Sequence, residues 1–527
     1  MSSKPAAPPN TDIVSASSGP QGSARAEIRD AETALSAYLR RLAPLPLVFL
    51  IQLGFFSPLA LRRLIDSDEG FYLLISKLVV THSILPYRDV FYQQMPLLPY
   101  LYGAWMRVFG FSWVSGRMFS AVLAAVAGTL LFHTVRKSTN RLSLAIISLL
   151  LYASNLSVLL FFLTAKTYVL STLLLLGGVL LARTGSGRFR YVASGLLLAL
   201  SIQTRLFFAA AAPAFFVILW RENLNPQAAI RRFASGMLIG FVPSLLLFLI
   251  APRQFLFDNL IYHGLRDSAG LVGDLGQKLE IAQKLFLSSN PFRPTQFALL
   301  FVGLPLALVV WRKIDKTGRL GALLVLLLGF VSLLPTPTFG QYFCVLVPFL
   351  ILCLMQGVRQ LEDFLPDRKR SLLYAAFFSV CFVSAALAVP RVYSLFWKAR
   401  DVPGLLAGDW RISTVENVAS LVDSTTNADA PVVCSWPGYM LSTSRTIYPK
   451  MENQMSMGVS EKVTDDDAER LHILRKQDLR GAIADERVQT VVIGNCSDWW
   501  PNLYMEASKE NGYKLLTKES NVLVLSR

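Results

Sequence analysis

Leu42-Ala-Pro-Leu-Pro-Leu-Val-Phe-Leu-Ile-Gln-Leu-Gly-Phe-Phe-Ser-Pro-Leu-Ala-Leu61 runs straight into Arg62-Arg63-Leu-Ile-Asp66-Ser-Asp68-Glu69-Gly70-Phe-Tyr72, so a long apolar stretch ends abruptly in a cluster of charge. Coiled as a helix, the apolar part reaches about 30 Å, the thickness of a bilayer's hydrocarbon core. It reads as a membrane span, an uncleaved signal anchor. The residues before it, 1–41, are rich in Ser, Ala, Pro and charge and contain no apolar core or cleavage site of a secretory signal, which fits a disordered cytoplasmic arm.

The same pattern recurs along the chain. Further apolar segments lie at about 117–135, 142–162, 167–182, 191–204, 206–220, 233–251, 296–311, 320–334, 341–358 and 371–389, giving an expectation of about eleven transmembrane helices. With 53% hydrophobic and 16% charged residues in 527, lipid must be the main solvent. A formal net charge of +16 would suit a nucleic-acid binder. However, the basic residues form short clusters between apolar runs: Arg40/Arg41, Arg136/Lys137/Arg141, Arg183/Arg188/Arg190, Arg221/Arg231/Arg232, Arg312/Lys313/Lys316/Arg319 and Arg368/Lys369/Arg370. All fall on one side if 191–204 and 206–220 are separate segments, and the positive-inside rule makes that side cytoplasmic. Loops 62–116 and 252–295 and the tail 390–527 then project outward. The tail predicts a small α/β domain, with helical periodicity at Val415–Val422 and Ala468–Leu479 and β-rich runs at Pro431–Ser435, Thr490–Ile493 and Val522–Leu525. No Gly-rich loop follows these strands, which argues against a nucleotide. Cys434 and Cys496 lie in this tail, either as a disulfide or as two buried thiols.

Chemistry is expected in the outward loops. Arg62 and Arg63 stand on the side where basic residues are unusual, and either meet a lipid phosphate or lie along the interface as snorkelling helix ends. Asp68, a carboxylate at the edge of an apolar environment beside Asp66 and Glu69, is the candidate general base. Asp66-Ser-Asp68 also matches the D-x-D metal pair of nucleotide-sugar transferases, but those pairs sit in soluble domains and use cytoplasmic donors, so neither a metal nor another cofactor is called for. His82 and His263 are isolated and lack ligand spacing. Phe71–Thr81 has helical periodicity and is expected along the membrane surface. Beyond it comes Pro86-Tyr87-Arg88-Asp89, then Gln94-Met95-Pro96-Leu97-Leu98-Pro99-Tyr100.

These motifs resemble the first outer loop of GT-C-fold glycosyltransferases, specifically bacterial relatives of protein O-mannosyltransferases and aminoarabinose transferases. The likeness extends to the multi-span layout, although its sharp motifs occupy only about residues 66–100. It implies a polytopic α-helical membrane fold with a C-terminal α/β domain. It also implies a catalytic base at Asp68 with Glu69 beside it, and a second loop acid at Asp89. The implied activity is inverting transfer of a sugar from a polyprenyl-phosphate donor to a glycan, lipid or protein acceptor on the outer face of the inner (plasma) membrane. The family's Lys/His-Pro-Pro-Leu element appears as Gln94-Met95-Pro96-Leu97, and its His-Tyr pair as Gln341-Tyr342. Arg62, Arg63, Arg88, Lys166 and Arg205 are the cations placed to meet the departing lipid phosphate, with Asp66, Tyr72, Gln341 and Tyr342 completing the expected substrate contacts. The competing expectation, a transporter or flippase, calls for ionisable residues near the midplane and for related halves; the spans are nearly free of Asp and Glu.

Overall fold

The computed structural model describes residues 44–183, 189–266, 270–287, 295–398, 408–496, 500 and 502–527. The arm expected over 1–41 lies outside these residues. Residues 49–527 form one compact unit.

The helices are α1 Pro44–Arg62, α2 Glu69–Thr81, α3 Leu97–Phe109, α4 Trp113–Thr139, α5 Leu142–Ser154, α6 Leu156–Phe161, α7 Thr167–Arg183, α8 Phe189–Thr204, α9 Ala212–Arg221 and α10 Pro226–Ile250. After an irregular helical stretch at 252–264 they continue as α11 Gly270–Phe286, α12 Gln296–Phe301, α13 Gly303–Val309, α14 Lys316–Leu333, α15 Val347–Glu362 and α16 Asp367–Tyr393. Among the described residues six helical stretches are long and apolar enough to cross a membrane: α1, α4, α10, α14, Gly340–Glu362 and Arg368–Lys398. Four shorter apolar stretches, Leu142–Ser154, Thr167–Arg183, Leu206–Arg221 and Gln296–Val309, accompany them. Gly340–Glu362 is buried almost throughout and forms the centre of the bundle, whereas Arg368–Lys398 is exposed almost throughout and faces lipid.

Several expected segments are broken. The run 142–162 divides at Asn155, whose carboxamide leaves the helix direction and caps α6, accepting from Ser157 N at 3.0 Å and Val158 N at 3.4 Å. The run 296–311 divides into α12 and α13. Phe71–Thr81 is not a surface helix: Phe71, Tyr72, Leu73, Leu74, Ile75, Leu78 and Val79 are all buried. α2 is covered because α3, which was not foreseen, and the C-terminal region pack on it.

Two helices approach unusually closely. A Cβ on Gly195 of α8 would stand 2.0 Å from the Phe233 carbonyl oxygen, and one on Gly236 of α10 would stand 1.9 Å from that of Val192. Only hydrogen fits, and the gain is backbone-to-backbone van der Waals contact in a setting where lipid supplies no hydrophobic drive. The Ser244 hydroxyl donates to Gln203 Oε1 at 2.6 Å across the same interface.

The loops sort into two sets by their contacts. Arg183 pairs with Asp315 at 2.8 Å, Arg319 with Glu222 at 2.8 Å, and Arg141 with Glu362, so the basic loops gather together. Arg205 instead stacks over Tyr342, which belongs to the set containing Lys166 and Asp66. The chain therefore changes ends between Arg183 and Arg205 and again before Glu222, which makes 191–204 and 206–220 separate segments.

The C-terminal region holds a four-stranded sheet of order β1-β2-β4-β3, formed by β1 Val432–Cys434, β2 Thr490–Ile493, β3 Lys514–Glu519 and β4 Val522–Ser526. β1 and β2 run parallel; the other pairings are antiparallel. β3 was not foreseen, since its Lys-Leu-Leu-Thr-Lys-Glu sequence lies exposed on an edge and carries no burial pattern. The helix at Val415–Val422 lies within Ile412–Thr425. Ala468–Leu479 is not one helix: the first piece stops at Arg470, where His472 adopts φ +56° and the Ile473 N–H donates back to the Ala468 carbonyl at 2.8 Å. This is the left-handed helix stop of a Schellman motif. Cys434 is a buried thiol outside any disulfide, so the pairing with Cys496 is not formed.

Candidate active site

The site is built on a buried ion pair. Arg117, at the first turns of α4, is wholly inaccessible. Its guanidinium donates to Glu69 through Nε and Nη2, both at 2.6 Å. It also donates to the Ala60, Arg63 and Leu64 carbonyls at 2.7, 3.1 and 3.1 Å, closing the end of α1. Glu69 accepts two more bonds, from Asp66 N at 2.8 Å and Ala165 N at 2.7 Å. One carboxylate thus pins both the acid turn and the α6–α7 turn. Glu69 was expected at the chemistry; the structure places it fully buried and holding four donors, with no oxygen open to the site.

The consequence of that pinning is Lys166. Its ammonium, nearly inaccessible, lies 2.7 Å from Asp66 Oδ1 and 2.8 Å from Asp68 Oδ2, and donates to Gln341 Oε1 at 2.9 Å. Burial disfavours the charge on Lys166, but Asp66 and Asp68 outweigh it and hold the ammonium well above its ordinary range. For Asp66, burial pushes the carboxyl up while Lys166 and Arg63 pull it down further, leaving it below the ordinary range. Arg63 reaches Asp66 only at 4.0 Å and spends itself on the Leu160 and Leu64 carbonyls. Asp68 is the more available acid: its side chain is 26% exposed, and its second oxygen has no hydrogen-bond partner among the described residues.

Around the acids stand the other expected residues. Arg205 donates to Thr167 Oγ1 at 3.0 Å, stacks over Tyr168, Phe207 and Tyr342, and keeps a buried Nε with no hydrogen-bond partner. Tyr72 is buried; burial and the charge of Asp68 push its hydroxyl above the ordinary range. Tyr342 accepts from Arg266 at 3.4 Å, and Arg266, which the sequence did not single out, also stacks over Phe339.

Three expected residues are not gathered here. Arg62 is exposed and lies over Trp397. Arg88 pairs with its neighbour Asp89 at 2.7 Å, and Asp89 accepts from Leu85 N at 2.8 Å. Asp89 builds its own turn and shares no partner with Lys166. The reason is local: with adjacent charges on a tight turn, each satisfies the other. Among the described residues no three His, Cys, Asp or Glu side chains converge as metal ligands.

The C-terminal region completes the site. Between the two acids the Ser67 carbonyl accepts from Trp436 Nε1 at 2.8 Å and from Gln454 Nε2 at 3.1 Å. Ile65 N donates to the Trp410 carbonyl at 2.7 Å. The indole of Trp436 stacks with Trp113 and lies against Gly70, where a Cβ would come within 2.6 Å of the ring. Lys77 donates to the carbonyls of Met440, Leu441 and Thr443, tying α2 to the same loop.

Two solved structures align over nearly the whole molecule. They are ArnT of Cupriavidus metallidurans in the apo state, at 12% identity and a TM-score of 0.64, and the same protein bound to undecaprenyl phosphate, at 11% and 0.62. In each case the match covers 94% of this chain and 98% of the other. This chain has the GT-C fold. It is a polytopic helical membrane protein, as the resemblance in its first loop implied. At the sequence level no family model matches, and no curated protein does.

Proposed function

We propose that the chain is an inverting glycosyltransferase that moves a sugar from a polyprenyl-phosphate donor to an acceptor hydroxyl on the non-cytoplasmic face of the membrane. The observation that carries this reading is the convergence of Asp66, Asp68 and Gln341 on the buried Lys166 ammonium, with Arg205 over Tyr342 beside it. A base and two cations occupy one end of a helical bundle, opposite the loops rich in Lys and Arg.

In this mechanism Asp68 takes the acceptor proton on its open oxygen. The acceptor oxygen then attacks the anomeric carbon from the face opposite the phosphate. As the new C–O bond forms, the bond to the lipid phosphate breaks and its electron pair leaves with the phosphate oxygen. Arg205, with a buried N–H still to satisfy, and Lys166 face the departing charge. Asp66 keeps Lys166 charged and in place. Orientation follows the positive-inside rule: the N-terminus is cytoplasmic and the C-terminal α/β region extracytoplasmic. Resemblance to the relatives of aminoarabinose and O-mannosyl transferases supports the lipid-phosphate donor; ArnT, of the same fold, binds undecaprenyl phosphate.

The test is transfer of labelled sugar from a polyprenyl-phosphate donor by purified protein across a panel of glycan, lipid and protein acceptors, with Asp68→Asn alongside. Turnover by wild type and its loss in the folded variant are expected. No wild-type turnover with any donor would overturn the class, and full turnover in the variant would remove Asp68 as the base.

A further inference from the structure

Asp66-Ser-Asp68 has the spacing of a divalent-metal pair, yet the group held between its carboxylates is the side chain of Lys166. We propose that this ammonium is the built-in cation of the pair, standing where a divalent ion would otherwise sit, and that sugar transfer runs without a metal there; the second half rests on the transferase reading, the first does not.

Three observations support the assignment. The first is coordination. An ammonium carries three N–H groups, and Lys166 Nζ has three side-chain oxygens within reach: Asp66 Oδ1 at 2.7 Å, Asp68 Oδ2 at 2.8 Å and Gln341 Oε1 at 2.9 Å. These are the lengths of charge-assisted hydrogen bonds, and they use every donor the lysine has. Lys166 therefore acts on a departing phosphate through its charge, while Arg205 still has an Nε without a hydrogen-bond partner.

The second is the character of the oxygens. Two carboxylates and a carboxamide, brought together from the turn after α1 and the stretch before α15, are the donor types that hard divalent cations take. Without the lysine side chain the same oxygens would surround two uncompensated negative charges.

The third is tethering. Lys166 is nearly inaccessible, and Glu69 accepts from both Asp66 N and Ala165 N, so one carboxylate sets the acid turn and the turn that carries the lysine. An ion held by the chain itself cannot exchange with solvent. Its charge differs as well: two carboxylates and one ammonium leave one negative charge, which a divalent ion would cancel, and a group that takes the proton of an acceptor hydroxyl needs that charge.

The experiment counts Mn²⁺ bound per chain by electron paramagnetic resonance, on full-length protein in detergent stripped with chelator and then given Mn²⁺. Wild type and Asp66→Asn should bind equal numbers, whereas Lys166→Ala should bind about one ion more and gain thermal stability in Mn²⁺ that wild type does not. Adding Asp66→Asn to Lys166→Ala should remove that extra ion. The proposal is overturned if a folded Lys166→Ala gains no ion, or if wild type holds an ion that Asp66→Asn loses; the latter comparison decides alone where Lys166→Ala fails to fold. Transfer by wild type should be unchanged in EDTA, and a loss restored by Mn²⁺ would overturn the metal-free step. Absence of turnover under all conditions would instead remove the transferase reading, with the Mn²⁺ counts still deciding what Lys166 does.

Discussion

Replacing Asp68 by Asn keeps the size of the side chain and removes its basicity, so transfer should fall by about two to four orders of magnitude, the range of general-base catalysis, with donor binding little changed. Rate and binding measured on the same preparation check this. Lys166→Gln acts differently. Asp66 lies below its ordinary value of 3.8 and Lys166 above its ordinary value of 10.5. The stability from Asp66 is complete above 3.8 and lost as pH falls through its folded value, and that from Lys166 is complete below 10.5 and lost as pH rises through its folded value. Removing Lys166 leaves the acids uncompensated and should cost about 3 kcal/mol at neutral pH, a deficit that narrows in acid as Asp66 takes up its proton. Melting curves of both proteins from neutral pH into acid check the sign; a deficit that widened in acid would contradict it. At this scale the sequence was most informative where a charge ends an apolar run: Asp66, Asp68, Lys166, Arg205, Gln341 and Tyr342 come together in space. It could not separate Glu69 from its neighbours, because a carboxylate satisfied by a buried arginine and one with an open oxygen look alike until Arg117 is placed.

Helix contacts carry the next predictions. Gly236→Ile would drive a branched side chain into the Val192 carbonyl, so α8 and α10 must separate, and the expected outcome is loss of the folded peak in size-exclusion chromatography. Trp436→Phe keeps the ring against Gly70 and Trp113 but deletes the N–H that holds Ser67. One hydrogen bond of about 1 kcal/mol should appear as a fall of roughly fivefold in kcat with KM unchanged. A change in KM alone would argue that Trp436 serves binding and not the geometry of the acid turn. Helices with strong apolar runs were legible, and so were the three strands with buried β-rich sequence. Interruptions were not: a cap at Asn155 and a left-handed stop at His472 rest on single residues within otherwise periodic segments.

For the whole molecule, the central prediction is that the membrane bundle and the C-terminal region are not separable. A chain ending at residue 398 lacks both donors to Ser67, the Trp410 carbonyl and the loop that receives Lys77, so it should insert but show no transfer even with every loop acid present. Recovery of activity by the truncated chain would refute this. Sequence alone placed this tail on the same side as the acids through charge bias, but could not show that it touches them, because the residues concerned lie hundreds of positions apart.

That separation bears on biosynthesis. Trp436 and Gln454 are made 369 and 387 residues after Ser67. While the ribosome is still feeding helices into the membrane, the acid turn has neither of its two donors, and the indole that fills the space over Gly70 does not yet exist. Assembly of the acid turn therefore waits until the chain has been made past Gln454, and a chain stalled before Trp436 lacks both of its donors.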